Sequence, residues 1–342
     1  MILEDKNKPM KKNLILLITF FLLLTACTNK EVIKIEGNAQ GTTYHISYIA
    51  PDNKNYKRDI DSILKIIDLS MSTWIPNSII SKINDNDKNI SIDNYFAEVF
   101  KKSIEVSEKT NGYFDITIAP LVNFWGFGAT PKKTIDKSKI DSLVQLVNYK
   151  MLKLEGNKII KQNPKIQIDF NAIAQGYSVD ILANYLENKG IANYLVELGG
   201  ELKTKGRKGD ENWKIGIDTP NEKPTAENPL KAIIILDNKA LATSGNYRKF
   251  YEENGQKFSH IINPKTGYPA RQNLLSATVI ANDCITADAY ATVFMVMGLE
   301  QSKVFLEKNK ELKLEVYFIY NDKGIWKTYI SEGLKKSLQE IH

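Results

Sequence analysis

The sequence predicts an α+β fold, mainly an antiparallel β-sheet core with flanking helices. Consecutive segments of alternating polarity are separated by only a few long helical patterns, unlike the regular strand-helix alternation of a doubly wound sheet. The 342 residues are 43% hydrophobic and 25% charged, enough apolar material for a substantial core. No repeat of roughly 20–50 residues marks a solenoid or propeller.

The chain begins with a segment that reads as an address and not as part of the fold. Met10-Lys11-Lys12 precedes an apolar run at 14–24 and then Thr25-Ala26-Cys27. A basic start, a short greasy stretch and small residues describe a secretory signal. The run falls short of the roughly 20 residues that span a bilayer. Leu24-Thr25-Ala26-Cys27 resembles a bacterial lipobox, in which Cys27 carries lipid and becomes the mature N-terminus. Met10 is a better start than Met1. Residues 1–27 are therefore read as signal peptide and lipobox, 28–33 as a tether, and 34–342 as one domain.

Within that domain, 34–50 alternates as a strand, with Tyr44, Ile46 and Tyr48 on one face. Ile60, Ile63, Leu64 and Ile67 have helical spacing over 56–69. Phe96, Val99, Phe100 and Ile104 mark a second helix, stopped at Asn111-Gly112. "MSTWIPNSIISKIN" between them reads as a connector. "KIQIDF" reads as a strand feeding the helix "NAIAQGYSVDILANYLENKG". Its predicted buried face is Ile173, Tyr177, Ile181 and Tyr185, with Gly190 as the stop. "IANYLVELGGEL", "NWKIGID", "KAIIILDNKALAT" and "LLSATVIAND" read as strands, and 219–229 as an exposed loop. A helix over 285–297 and a hairpin turning at Asp322 to Gly324 close the domain.

Composition and motifs exclude several functions. The net charge of +6 is scattered and forms no long basic run, so nucleic-acid binding is not expected. With Cys27 lipidated, Cys284 alone can form neither an internal disulfide nor a multi-cysteine zinc site; it reads as a small buried hydrophobe. There is no G-x-x-x-x-G-K-[ST] loop and no G-x-S-x-G elbow. "WGFGAT" lacks the third glycine and the strand-turn-helix setting of a dinucleotide loop.

Some residues could carry chemistry. In "TADAYATVFMVMG", Asp288 and Thr292 lie four apart and share one helical face. Two hard oxygens on a rigid element suit Mg²⁺; spacing alone favours the plainer reading, a carboxylate near the helix start and a hydroxyl bonding back to a carbonyl. In "DFNAIAQGY", Asp169 precedes a helix start whose free N–H groups can receive phosphate or simply be capped. Gly176 permits close approach by another chain or a ligand. His260, one of three histidines, heads the stiff stretch "HIINPKTGYPA".

Together, "GTTY", "MSTW", "GYFDITIAPLVNFWGFG", "DFNAIAQGYSVD", "LGGE", "ATSGNYRKF", "HIINPKTGYPA" and "TADAYAT" occur in this order over 40–292. This succession closely resembles the ApbE family, the FAD:protein FMN transferases. The resemblance implies a two-lobed enzyme with FAD bound between the lobes. It implies Mg²⁺-dependent cleavage of the FAD pyrophosphate, transfer of FMN to a Thr or Ser hydroxyl of an acceptor protein, and release of AMP. The metal contacts it implies are Ala172, through its carbonyl, Asp288 and Thr292. The FAD contacts are Gln40, Trp74, Tyr113, Phe114, Asp115, Asp169, Gln175 and Ile261. His260 is the implied base for the acceptor hydroxyl, since an imidazole titrates near neutrality. Gln40, Gln175 and Asn263 depart from the commoner Met, Lys or Glu, and Asp of the family. They bear on the charge balance at the pyrophosphate and so on transfer against plain hydrolysis. The expected partners are FAD, membrane redox subunits exposing a Thr or Ser, and the membrane itself through the lipid anchor on the extracytoplasmic side. An FAD pyrophosphatase without protein acceptor and a non-catalytic flavin-binding lipoprotein are the alternatives.

Overall fold

The computed structural model describes residues 31–129, 136–220, 230–246, 250–253 and 256–341. The signal segment with Cys27, residues 28–30 of the tether and positions 221–229 of the expected loop lie outside the described residues. Strands β1 (Ile33–Ala39) and β2 (Thr42–Tyr48) form a hairpin where the alternation predicts one strand. The chain reverses at Gln40 and Gly41, both at positive φ (51° and 73°). That combination suits a two-residue turn whose twist matches the flanking strands. The alternation itself holds, and Tyr44, Ile46 and Tyr48 are buried.

Helix α1 (Lys57–Met71) buries Ile60 and Leu64 against this hairpin. Within the connector, Ser78 caps a short helix α2 (Ile79–Asn84) that the periodicity does not predict. Asp93 caps α3 (Asn94–Lys109), and Asn111 and Gly112 follow it at positive φ. Short elements come next: α4 (Ala119–Phe124), α5 (Ile140–Val144), β3 (Leu152–Glu155) and β4 (Lys158–Lys161).

"KIQIDF" is extended but pairs with no strand. Ile166, Ile168 and Phe170 are buried, as one face of a strand would be, with Asp169 buried between the last two. The Asn84 side chain takes the place of a ladder: its Oδ1 accepts from Ile168 N–H at 2.7 Å and its Nδ2 donates to the Ile168 carbonyl at 2.9 Å. Asp169 N–H then donates to the Ile116 carbonyl at 2.8 Å. A side-chain amide offers the same donor and acceptor as a neighbouring strand, so the backbone is satisfied without a sheet.

Helix α6 (Ala174–Asn188) follows, with Gly190 just beyond its end at φ 76°. Its buried face matches the predicted stripe only in part, at Ile173 and Tyr177. Val179, Leu182, Ala183 and Leu186 are buried, while Ile181 and Tyr185 are only half-buried. The helix is covered by sheet on one side and by another helix on the other, which erases a single stripe. The remaining elements are β5 (Tyr194–Leu198), β6 (Glu201–Lys205), β7 (Trp213–Asp218), β8 (Leu230–Leu236), β9 (Ala240–Gly245), β10 (Phe250–Glu253), β11 (Gln256–Ser259) and β12 (Leu274–Ala281). Helices α7 (Cys284–Met297) and α8 (Leu299–Lys308) and strands β13 (Glu315–Asp322), β14 (Ile325–Ile330) and β15 (Leu338–Glu340) complete the chain.

Eight strands form one antiparallel sheet in the order β1-β2-β5-β6-β9-β12-β13-β14. One face, through Ala242, Val279, Val316 and Phe318, packs with the core that contains α7. The other, through Leu202, Leu241, Ile280 and Ile319, packs on the small sheet β15-β8-β7. "KAIIILDNKALAT" is thus split, β8 belonging to one sheet and β9 to the other. Among the described residues no helix is long and apolar enough to cross a membrane.

Candidate active site where two helices cross

Helices α6 and α7 meet at Gly176. A Cβ there would lie 2.4 Å from the Cys284 carbonyl and 2.7 Å from Asp288 Cβ, so only glycine fits this crossing. The contact puts Asp288 at the N-terminus of α6. The cap residue there, Ile173, has no side chain that can accept a hydrogen bond. Asp288 supplies the missing cap from the neighbouring helix: its Oδ2 accepts from Gly176 N–H at 2.9 Å. Its second oxygen has no hydrogen-bond partner among the described residues. Burial raises the Asp288 carboxyl to about 7, and the Gly176 N–H only partly opposes this.

Two further oxygens belong to the same elements. No hydrogen bond from the described residues reaches the carbonyl of Ala172, just before α6. Thr292 lies one turn beyond Asp288, with its Oγ1 3.3 Å from Ser244 Oγ of β9. Every residue of α7 is buried except Thr292. One carboxylate, one alcohol and one carbonyl form a hard-oxygen set, which fits Mg²⁺ better than a soft metal. Among the described residues no group of three or more His, Cys, Asp or Glu is placed to hold a metal. Such a cation would keep its remaining positions for water or phosphate oxygens.

The start of α6 collects more of the predicted residues. The Gln40 side chain, at the β1–β2 turn, donates to Ser178 Oγ at 2.7 Å, and Gln175 Nε2 lies 3.5 Å from the Gln40 carbonyl. Asp169 accepts from Asn171 N–H at 2.6 Å and from Asn171 Nδ2 at 2.9 Å. Burial still lifts its carboxyl to about 6. Asp115 is buried and bound to its own chain, accepting from Thr117 N–H and Oγ1 and from Tyr149 N–H. It thereby fixes the backbone of 113–115. Phe114 and Ile261 sit in one core with Ile173.

His260 is half-buried, its ring edge-on to Phe127 at 6.3 Å. The loop behind it is closely braced. Ala270 N–H donates to the Ile261 carbonyl, and both Asn263 N–H to Tyr268 and Gly267 N–H to Asn263 close at 2.8 Å. Trp125 Nε1 donates to the Gly267 carbonyl at 2.7 Å, while its ring stacks on Phe258. Gly267 sits at φ 74°, where a Cβ would meet Val144 and Ile140. Lys265 Nζ lies 4.1 Å from the Tyr113 ring centre, joining this loop to "GYFD". Trp74 stands apart: it is 61% exposed, and its indole makes no ring contact or hydrogen bond with the described residues.

Sequence reasoning gave no role to Asp180 and Lys203, which lie beside this crossing. Asp180 Oδ1 pairs with Lys203 Nζ at 2.8 Å, and its Oδ2 accepts from Ile285 N–H at 2.9 Å. Burial works against the Lys203 charge, but Asp180 outweighs it and holds the ammonium above its ordinary value. Only the final letter of "GYSVD" hinted at this, and its partners come from distant segments. Cys284 is buried as expected, and burial pushes its thiol well up, away from reactivity.

A large antiparallel sheet with flanking helices is also the architecture of solved flavin transferases of the ApbE family. The chain belongs to that family, whose model matches residues 40–318. It is 34% identical to the FAD:protein FMN transferase of Vibrio cholerae over 96% of this chain and 100% of that protein. It is 35% identical to the enzyme of the same name from Haemophilus influenzae, over 94% and 96% of the two chains. Among solved structures, flavin transferase ApbE from Vibrio cholerae superposes with a TM-score of 0.80 at 33% identity, covering 90% of this chain and 99% of that one. The apo flavinyl transferase ApbE of Pseudomonas stutzeri gives 0.79 at 29% identity, over 90% and 96%.

Proposed function

We propose that this protein is an FAD:protein FMN transferase that moves FMN from FAD onto a threonine or serine hydroxyl of an acceptor protein. The acceptor oxygen forms a bond to the FMN phosphorus, the bond from that phosphorus to the bridging oxygen breaks, and AMP leaves with the bridging oxygen. The observation that carries this reading is Asp288, a buried carboxylate with one oxygen committed to Gly176 at the start of α6 and the other without a hydrogen bond from the described residues, one helical turn before Thr292. The full-length relatives that bear the transferase name support it.

In this reading Asp288, Thr292 and the Ala172 carbonyl hold Mg²⁺, which when bound offsets pyrophosphate charge and favours in-line attack. His260, on its braced loop, takes the proton of the attacking hydroxyl; help of this kind is worth about 10²–10⁴ in rate. FAD lies between two lobes. Gln40, Gln175 and Asp169 contact it near the start of α6, and Tyr113, Phe114, Asp115 and Ile261 near the His260 loop. Trp74 offers an exposed aromatic face to a flat ring. Asp115, with its carboxylate already committed, acts by shaping the 113–115 backbone.

The protein is anchored through lipid on Cys27 at the extracytoplasmic face of a bacterial membrane. The six residue steps from there to Ile33 reach at most about 20 Å, so the domain stays close to the bilayer. Its acceptors are accordingly redox subunits at the same membrane.

The test is one incubation of purified protein with FAD, Mg²⁺ and a candidate acceptor fragment, followed by the acceptor's intact mass. A gain of one phosphoester-linked FMN, lost in EDTA and in Asp288→Ala, is expected. AMP release without mass gain would make the protein a pyrophosphatase, and intact FAD a binding protein.

A further inference from the structure

Helices α6 and α7 cap one another. Asp288 of α7 closes the first turn of α6 through Gly176 N–H, and Asp180 of α6 closes the first turn of α7 through Ile285 N–H, each at 2.9 Å. In each helix the carboxylate lies three or four residues beyond the amide that the partner helix caps. The close contact at Gly176 makes the exchange possible, because nothing larger than hydrogen separates the two backbones.

The two caps differ in how they are held. Asp180 is gripped by Lys203 of β6, in the sheet beneath, at 2.8 Å, with both side chains mostly out of solvent. α7 also has its own cap, Asp283, whose Oδ1 accepts from Thr286 N–H at 3.0 Å. Asp180 is therefore not required simply to end the helix. What it adds is a fixed link from the sheet, through Lys203, to the first turn of the helix that carries Asp288 and Thr292.

We infer that Asp180, clamped by Lys203, is a positioning residue for the transfer reaction. It sets where α7 begins, and so holds Asp288 and Thr292, one and two turns further on, against the start of α6. This rests on the reading of Asp288 and Thr292 as the Mg²⁺ ligands. Mg²⁺ tolerates little departure from ideal ligand placement, so a small slide of α7 weakens the ion more than it weakens the fold. Asp180 also lines a surface cavity of about 290 Å³ with Lys203, Tyr177 and Asp283. Water entering there can replace its hydrogen bond after truncation, and the variants remain foldable.

The experiment compares wild type with Asp180→Ala, Asp180→Asn and Lys203→Met. Mn²⁺ is titrated in the presence of FAD and followed by the free-ion EPR signal. FAD binding in EDTA is followed by flavin fluorescence, and folding by circular dichroism. Asp180→Ala should weaken Mn²⁺ about tenfold, the scale on which groups that orient metal ligands act, while metal-free FAD affinity stays at the wild-type value. Asp180→Asn keeps an oxygen for Ile285 N–H and should recover part of the loss. Lys203→Met should show a smaller loss in the same direction. If Asp180→Ala does not fold, Asp180→Asn and Lys203→Met decide the matter. Wild-type Mn²⁺ affinity in the folded variants would overturn the inference, as would an equal fall in FAD affinity, which marks general damage. Wild-type protein that binds no Mn²⁺ would instead overturn the metal reading beneath it.

Discussion

Replacing Gly176 with alanine tests the helix crossing directly. The new methyl would sit 2.4 Å from the Cys284 carbonyl, where an ordinary contact begins near 3.4 Å, so the helices must part by about 1 Å. Overpacking of this kind costs about 1–3 kcal/mol. At pH 8, where Asp288 is ionised, stretching the bond from Gly176 N–H to this charged acceptor forfeits about 1.5–3 kcal/mol more. Alanine's better helix propensity returns about 0.5–1 kcal/mol. The net loss is about 2–5 kcal/mol, or roughly 4–10 °C in Tm for a domain of this size at about 2 °C per kcal/mol. Scanning calorimetry in EDTA measures it, and a Mg²⁺ titration of turnover measures its effect on the site. Because the displacement moves Asp288 away from α6, the Mg²⁺ needed for half-maximal turnover should rise as well. A variant that melts within 2 °C of wild type, with an unchanged Mg²⁺ requirement, would refute the claim that this contact sets the site (threshold taken as about one kcal/mol).

Other perturbations separate the remaining roles. Asn84→Ala leaves the Ile168 N–H and carbonyl without their partner; at about 1–3 kcal/mol per buried group, denaturant titration should find a loss of about 2–6 kcal/mol, and a negligible loss would mean water serves equally well. Asp288 is raised from 3.8 to about 7 in the metal-free fold, so its protonated form favours folding. That contribution is full below pH 4 and disappears as pH rises through 7. Tm in EDTA should therefore fall more steeply toward pH 8 in wild type than in Asp288→Asn, and parallel profiles would contradict this account. His260→Ala should bind FAD normally yet lose about 10²–10⁴ in transfer rate; lost FAD affinity would make it a ligand contact. Trp74→Ala should raise the KM for FAD without lowering Tm, because the exposed ring supports nothing in the fold; an unchanged KM would remove it from the FAD site.

Much of this molecule is legible in its sequence where one physical cause dominates. Tyr44, Ile46 and Tyr48 alternate because one side of β2 is buried, and α1 shows its stripe because only one side meets the core. Patterns mislead where two structures bury the same residues. "KIQIDF" has strand alternation whether its backbone meets another strand or Asn84. The reversal at Gln40 is hidden because glutamine is not a typical left-handed residue. Its side-chain bond to Ser178 helps hold it there. In α6 the buried side is smeared by having two neighbours. At the site, Asp288 and Thr292 are readable as a pair because they lie on one helix. The links from Gly176 to Asp288 and from Asp180 to Lys203 and Ile285 are not, since they join segments 23 to 112 residues apart.

The enclosure of α7 has a consequence for how a protein substrate is received. Wrapped on all sides except at Thr292, this helix cannot swing or slide to greet different visitors. In the proposed reading, adaptation must come from the incoming polypeptide, its hydroxyl delivered on a protruding, pliable segment that can reach the one open position of this stationary helix. A threonine locked on the flat of a rigid sheet would be chemically suitable and sterically useless.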